Sequence, residues 1–426
     1  MLLISNFKNS VIKSPVLRSV GVYTSIMFLN KGISFLLLFV YTNPRFISPA
    51  ENGFLNLFAS SILFLMPFLS MGILQSTSTD FYKLNKEEFK TFFTSNLIPP
   101  VIVFMLSLLG FFFMRDYLKT NFGFPYFFIF LIPLITFLNY LSEQLTLLMR
   151  VNHELKKFAR VEIVKIILEF GLSVVLVVFF AMRWKGRLAG ITISYTMIAT
   201  YALYYFYKKG YLSGRINKTY IKNELIYAIP LIIMQVSIFA QGTSDKFFLA
   251  HFTTNEVLGI YGVACIFANI ISLFSSAYLN YLGPTIYQAL SNAIPDYRII
   301  KKSFITYVRV MIITTALVIL IIPFVYKFFI NEKYYGAVSY FYLIALGYFI
   351  WTLTSFFHSF LLYYKQKRKL VQLSVLSLLI SIPTIYFFTR QMGVTGTATG
   401  IFISYSLTFI LTLLFVKQHI QKLKIA

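Results

Sequence analysis

The feature that most limits this chain is a series of apolar runs, each long enough to cross a bilayer. A membrane helix needs about 20 mostly apolar residues to span roughly 30 Å of hydrocarbon. Twelve runs meet that length, at about 19–42, 52–72, 97–114, 124–149, 161–182, 187–207, 223–250, 257–281, 305–330, 335–363, 370–389 and 393–417. The third is short and the seventh and tenth are long, so tilted or kinked helices are expected. Strands of a β-barrel would alternate over segments of about ten residues, and the sequence lacks that pattern. The first run is too long for the apolar core of a signal peptide, so no removable leader is expected. Composition agrees, with 58% hydrophobic and only 12% charged residues in 426. The 48 phenylalanines exclude a disordered basic tail. A single cysteine, Cys265, excludes a disulfide scaffold.

Charge then sets orientation. The formal net charge is +24, from 38 Lys and Arg against 14 Asp and Glu. The N-terminus, the even-to-odd connections and the C-terminus hold 25 of the basic residues, and the opposite connections hold nine. Basic residues collect on the cytoplasmic side, so both termini are expected there, with an even number of spans. A nucleic-acid footprint would be one concentrated basic face. Here the charges lie in seven short patches beside apolar runs, so topology and anionic lipid headgroups are the expected partners, not nucleic acid.

The chain also looks like a duplicated half. Gly186-Arg187-Leu188-Ala189-Gly190-Ile191-Thr192-Ile193-Ser194-Tyr195 and Gly396-Thr397-Ala398-Thr399-Gly400-Ile401-Phe402-Ile403-Ser404-Tyr405 lie 210 residues apart and agree at six of ten positions. The longest connections, about 73–96 and 283–304, follow the second and eighth runs. The expected organisation is a six-helix lobe over 1–207, a cytoplasmic linker over 208–222 and a second six-helix lobe over 223–426. Both halves would start on the same side, with a pseudo-symmetry axis along the membrane normal. The fold class is therefore all-α integral membrane, about 12 transmembrane helices in two pseudo-symmetric lobes around a central cavity. No GxxxxGK[ST] loop is present, and the connections leave no room for an ATPase domain. Pro67, Pro133, Pro230, Pro323 and Pro383 interrupt spans and predict kinks.

An ionised group inside a bilayer costs at least about 2.5 kcal/mol, so each one asks for a reason. Four basic residues fall within the spans: Lys31, Lys165, Lys246 and Arg309. Lys31 lies near the middle of the first run, too deep for its stem to reach the interface. Lys165 has Glu162 and Glu169 at i−3 and i+4, on one helix face, so a local ion-pair network and a cavity-facing cation are both open readings. Asp245 and Lys246 are adjacent and should point in different directions, one inward and one outward. Arg309 sits near a cytoplasmic helix end, as an anchoring arginine would. These four are candidate contacts for an anionic cargo such as a pyrophosphate. Glu143, Glu169 and Asp245 are candidate ion-coupling carboxylates. The four histidines are scattered without metal-ligand spacing, and no cofactor is expected. For His358, inside a span, a structural hydrogen bond is expected.

Several segments resemble the polysaccharide-export flippases of the multidrug/oligosaccharidyl-lipid/polysaccharide exporter superfamily. They are Ser244-Asp245-Lys246-Phe247-Phe248-Leu249, Glu256-Val257-Leu258-Gly259-Ile260-Tyr261-Gly262, Lys31-Gly32-Ile33-Ser34, Glu51-Asn52-Gly53-Phe54 and Gly393-Val394-Thr395-Gly396-Thr397-Ala398. The resemblance implies alternating access and movement of an undecaprenyl-pyrophosphate-linked oligosaccharide across the cytoplasmic membrane. It implies a transporter, not an enzyme, working beside a polysaccharide polymerase and a chain-length regulator. It also implies cationic side chains in the cavity, with Lys31 the best placed. A small-molecule antiporter of the same superfamily is the alternative. An integral membrane polymerase is the third reading, and the short outer connections, about ten residues at most, argue against it.

Overall fold

The computed structural model describes Ile26, Leu29, Asn30 and the chain from Gly32 to Ile425, apart from 292–296 and 365–366. Among these residues all regular structure is helical. The helices are α1 (Gly32–Tyr41), α2 (Pro49–Ser70), α3 (Ile73–Asp80), α4 (Lys86–Asn96), α5 (Ile98–Phe113), α6 (Arg115–Phe122) and α7 (Tyr126–Val151). Then come α8 (Leu155–Ile166), α9 (Arg183–Lys208), α10 (Lys218–Phe252), α11 (Asn255–Ser291), α12 (Tyr297–Phe329), α13 (Ala337–Tyr363) and α14 (Lys367–Ile425). Beyond Ile166 the α8 run continues to Phe179 through π-helical turns at Ile167–Gly171 and Val175–Phe179. Gly393, at φ 58° and ψ −130°, folds α14 into two passes. Only glycine adopts such a conformation at little cost. Counted this way, the described residues hold helical segments at the twelve places the apolar runs foretold, the first described as a continuous helix only over Gly32–Tyr41.

The connection at 73–96 is more ordered than its sequence suggested. Met71 and Gly72 both take left-handed conformations and end α2, and α3 follows at once. α4 begins with a reciprocal cap. The Asn85 side chain accepts from the Glu88 amide at 2.9 Å, and Glu88 accepts from the Asn85 amide at 3.1 Å. Phe89, Phe92 and Phe93 then bury one face of α4. The linker after α9 is fastened to that helix. Thr94 donates to the Tyr211 carbonyl at 2.8 Å, and the Asn217 amide donates to the Ser95 hydroxyl at 2.9 Å. A side chain on Gly214 would overlap the Lys90 carbonyl.

Grouped by contact, the chain forms two compact units. Unit 1 holds the described residues up to Ile47, Leu65–Lys119 and Phe124–Ile229. Its core runs through Phe93, Tyr140, Leu145 and Phe206. Unit 2 holds Ser48–Phe64, Thr120–Gly123 and the chain from Pro230 onward. Its core includes Tyr307, Met311, Phe356 and Leu361. Small residues explain why Ser48–Phe64 belongs to unit 2. A Cβ on Gly53 would overlap the Asn255 carbonyl, and one on Gly259 would overlap the Pro49 carbonyl. Beside them Asn52 donates to the Tyr334 hydroxyl at 2.5 Å. Of the three unit boundaries inside helices, those after Phe64 and Ile229 lie within a turn of a proline, Pro67 and Pro230, and the third, after Lys119, cuts the short α6.

The repeated segments do the same structural job in each unit. In unit 1, Gly186 and Gly190 bring α9 against the backbone at Leu176 and Ser173. In unit 2, Gly396 and Gly400 bring the second half of α14 against Phe388 and Ile385. Small residues allow this close approach, which membrane helices depend on because lipid gives them no hydrophobic drive to pair.

Gly190→Val and Gly396→Val are each expected to destabilise the protein by about 1–3 kcal/mol through overpacking. Gly110→Ala, where an added Cβ meets nothing within 4 Å, should leave stability unchanged. Thermal midpoints in detergent check both.

A second expectation concerns the α7–α8 turn. Burial opposes ionisation of Glu154, but hydrogen bonds from Lys209, Lys157 and Tyr205 outweigh it and hold the carboxyl below the usual range. The Glu154 bond in turn raises Lys209 above the usual lysine value. The Glu154 contribution is fully present above the ordinary carboxylate value and disappears as pH falls through the lowered one. The Lys209 contribution is fully present below the ordinary lysine value and disappears as pH rises through the raised one. Hydrogen-exchange protection of 208–213 should therefore drop on the acid side, and Glu154→Gln should flatten that drop.

Candidate functional site

Eight helical stretches among the described residues are long and apolar enough to cross a membrane by length and composition. The α8 run and α9 are not among them. They carry the charges instead, and those charges meet inside unit 1.

Lys165 lies on α8 with 7% of its surface exposed. Its ammonium sits 4.7 Å from the centre of the Tyr195 ring on α9, within range of a cation–π attraction. Among the described residues no carboxylate comes within 4 Å of it. Glu162, Glu143 and Glu169 all act on its charge from further away. The Ser194 hydroxyl donates to the Lys165 carbonyl at 3.1 Å, which pins α9 to α8 at this level.

Glu169 belongs to a different pair from the one its i+4 spacing suggested. Arg187 on α9 donates from Nη2 to Glu169 Oε1 at 2.9 Å, and from Nη1 to the Ser173 hydroxyl at 3.0 Å and the Glu169 carbonyl at 3.3 Å. The guanidinium also lies 5.0 Å from the Phe170 ring and 5.5 Å from the Tyr41 ring. The side chains of Arg187 and Glu169 are 15% and 16% exposed, so the pair is largely sheltered. Two features explain the exchange of partners. The π turn at Ile167–Gly171 redirects Glu169, and Gly186 and Gly190 bring α9 within reach. Glu143, half-buried on α7, makes no ion pair among the described residues.

Unit 2 holds the second group. Asp245 on α10 is 1% exposed and accepts from the Tyr261 hydroxyl of α11 at 2.6 Å. The sequence suggested that Asp245 and Lys246 would diverge. Their Cα–Cβ directions do, but the flexible Lys246 stem folds back, so Nζ lies 3.5 Å from Asp245 Oδ1, with Asp245 buried and Lys246 partly so. Cys265, Tyr340 and Tyr405 complete the surroundings. Arg309 is exposed on α12, apart from this cluster. His358 packs edge-on to Trp351, and among the described residues its Nε2 has no hydrogen-bond partner, contrary to the bond expected of it. Lys31 lies outside the described residues. No metal-holding group of His, Cys, Asp or Glu occurs among the described residues.

Two residues escaped the sequence reading. Arg187 looked like part of an outer connection, yet it is the cation that neutralises Glu169. Its signal was present in the repeat, where Arg187 faces Thr397 in the second copy. Glu224 was the other. It is buried at the start of α10 and accepts from the Ser76 hydroxyl of α3 at 2.7 Å.

A sequence profile described as "Polysaccharide biosynthesis protein" matches residues 16–290, well over half of the chain. The chain belongs to this family. Among curated proteins, the chain is 24% identical over 237 residues to "Lsg locus putative protein 1" of Haemophilus influenzae. That match covers 53% of this chain and 58% of the relative, so the chain spans under two thirds of that protein's length. A structure described as the inward-facing conformation of a multidrug resistance MATE family transporter of the MOP superfamily superimposes with a TM-score of 0.74 at 12% identity, covering 91% of this chain and 95% of that one. A structure of the lipid II flippase MurJ, in an inward closed conformation, gives 0.71 at 14% identity, covering 93% and 87%. At these identities the likeness establishes the fold. This family member is therefore an all-α, multi-pass membrane protein with the fold of those two structures.

If the Arg187–Glu169 pair is the main compensation for its two charges, the double variant should cost less than the two single variants summed. Arg187→Ala and Glu169→Ala are each expected to destabilise, and the double variant to recover about 1–3 kcal/mol relative to their sum. Thermal unfolding in detergent across the four proteins of the cycle measures this coupling.

Proposed function

We propose that this protein is a flippase that moves lipid-linked oligosaccharide repeat units across the cytoplasmic membrane by alternating access, for surface polysaccharide synthesis. The observation that carries the reading is the Lys165 ammonium, buried in a membrane-spanning unit without an ion-pair partner among the described residues. Three carboxylates act on this cation from beyond ion-pair distance, so its charge is held in place while its donors make no ion pair among the described residues and suit a visiting anion. A pyrophosphate ester supplies the charge and several acceptor oxygens. Family membership supports the polysaccharide context. On this reading the carrier lipid and its oligosaccharide are the cargo, membrane lipids surround the protein, and both termini are cytoplasmic. A polysaccharide polymerase and a chain-length regulator act downstream. Lys31 and Lys246 remain candidate cargo contacts. Arg309, being exposed, is the weaker candidate.

Asp245 favours a second reading, cation-coupled antiport of a small molecule. A carboxylate 1% exposed in unit 2, bonded to Tyr261, is a suitable coupling group in either case. Glu143 and Glu169 are the corresponding candidates in unit 1. Of these, Glu143 has no ion pair among the described residues, whereas Glu169 is held by Arg187.

Lys165→Ala is expected to lower surface polysaccharide export about tenfold or more, with Lys165→Arg retaining part of it, because a charged contact to phosphate is worth roughly 1.5–3 kcal/mol. Complementation of a strain lacking the gene, with membrane levels checked, provides the measurement. Normal export by a normally expressed Ala variant refutes the role, and transport of unlinked small molecules without lipid-linked sugar would select the antiporter.

A further inference from the structure

The cytoplasmic end of α10 presents two different faces. Glu224 and Ala228 point inward and are buried. The opposite face carries Lys218, Ile221, Lys222, Leu225, Ile226 and Ile229, which line a groove of about 300 Å³. These positions follow the i, i+3, i+4, i+7 spacing of a single helical stripe. The stripe is sorted along its length. Both cations fall within its first five residues, with Ile221 between them, on the side that the basic residues mark as cytoplasmic, and Leu225, Ile226 and Ile229 lie further along the helix. Ile226 and Ile229 are 61% and 60% exposed.

The two cations count toward the cytoplasmic basic set, but their spacing on one helix face is not something topology requires. Lys218 and Lys222 are exposed and form no ion pair among the described residues. At i and i+4 their Cβ atoms are about 5–6 Å apart, so the like charges repel and weaken the helix. A divalent anion between them would reverse that effect. Below such an anion, the same groove offers an apolar floor one helix wide, suited to a single hydrocarbon chain. The platform itself is fixed. Ser76 bonds Glu224 on the inner face, and the preceding linker is tied to α4 through Thr94 and Ser95.

We propose that this face of α10 is a docking track for the polyprenyl pyrophosphate carrier at the cytoplasmic leaflet. Lys218 and Lys222 clamp the pyrophosphate, and Leu225, Ile226 and Ile229 hold the first part of the prenyl chain. The occupant follows from charge complementarity at one end of the groove and apolarity at the other. This inference rests on the flippase reading above and places its substrate on a residue set outside the Lys165 cluster.

The test is binding of a long-chain polyprenyl pyrophosphate to the full chain in phosphatidylcholine nanodiscs, read by native mass spectrometry. Lys218→Ala/Lys222→Ala should weaken binding about tenfold or more, since two charge-assisted contacts are lost. Lys218→Arg/Lys222→Arg should keep most of the affinity. Lys156→Ala, removing an exposed cation elsewhere on the cytoplasmic side, should change affinity by less than about twofold, as expected of a remote surface charge. Ile226→Ser should weaken the lipid but leave inorganic pyrophosphate binding unchanged. Unchanged lipid binding by the double Ala variant overturns the proposal and leaves the flippase reading standing. An equal loss of phosphatidylglycerol binding also overturns it, by making the face a general surface for anionic lipid. A wild-type protein that binds no polyprenyl pyrophosphate removes this proposal and the flippase reading together.

Discussion

The arrangement of unit 1 depends on one constraint: charges carried into the membrane must be compensated where they stand. Arg187 and Glu169 meet this by pairing at 2.9 Å between α9 and the α8 run. The pairing has structural prerequisites. Gly186 and Gly190 must lack side chains so that α9 can approach Leu176 and Ser173. The π turn must present Glu169 toward α9. Ser173 must supply an oxygen to the second guanidinium nitrogen. Each of these devices weakens a helix taken alone, and together they make a sheltered ion pair possible. Lys165 is one step along the same interface and makes no ion pair among the described residues, which sets it apart from Arg187.

The duplicated framework sharpens the contrast between the units. Both copies of the repeat use two glycines to bring a helix against its predecessor. Both place a tyrosine at the matching position, Tyr195 and Tyr405. The polar chemistry then differs. In unit 1 the tyrosine ring lies beneath the Lys165 ammonium. In unit 2 it packs on Trp351, with ring centres 5.2 Å apart. Where unit 1 has Arg187 and Glu169, unit 2 has hydroxyl bonds, Thr389 with Thr397 at 3.0 Å and Ser404 with Ser381 at 2.6 Å. Packing tolerates this divergence because the glycines set the helix spacing, and the neighbouring side chains need only satisfy each other.

Much of the fold was legible because its signals are local in sequence. Apolar length gives the passes, and the glycine repeat gives the closest helix contacts. The residues that escaped depend on contacts far apart in sequence. Ser48–Phe64 joins unit 2 through Gly53 and Gly259, which touch backbone about 200 residues away, a distance the sequence shows directly only in hindsight. The Glu224–Ser76 bond joins α10 to α3, and neither residue announces the other. Arg187 escaped because three basic residues at 183–187 resemble a connection, and only the depth of α9 against α8 makes the last of them an interior group. The Asp245–Lys246 pair escaped because helical geometry separates neighbouring Cβ atoms, whereas a four-carbon stem can bend back.

The charge set around Lys165 carries a consequence for transport. Three cations, Lys165, Arg187 and Arg150, act within the same set as three carboxylates, Glu143, Glu162 and Glu169. With all six ionised the charges balance, and the carboxylates offset the attraction of Lys165 for an anion. Uptake of a single cation or proton among the carboxylates leaves one positive charge in excess and makes the same place more receptive. On the flippase reading, cargo and coupling ion then raise each other's affinity, and linkage requires the effect to be equal in both directions. A lysine alone would hold a pyrophosphate in either state. A lysine balanced by carboxylates holds it more weakly once the ion has left, which is the condition a gradient-driven carrier needs in order to release its cargo.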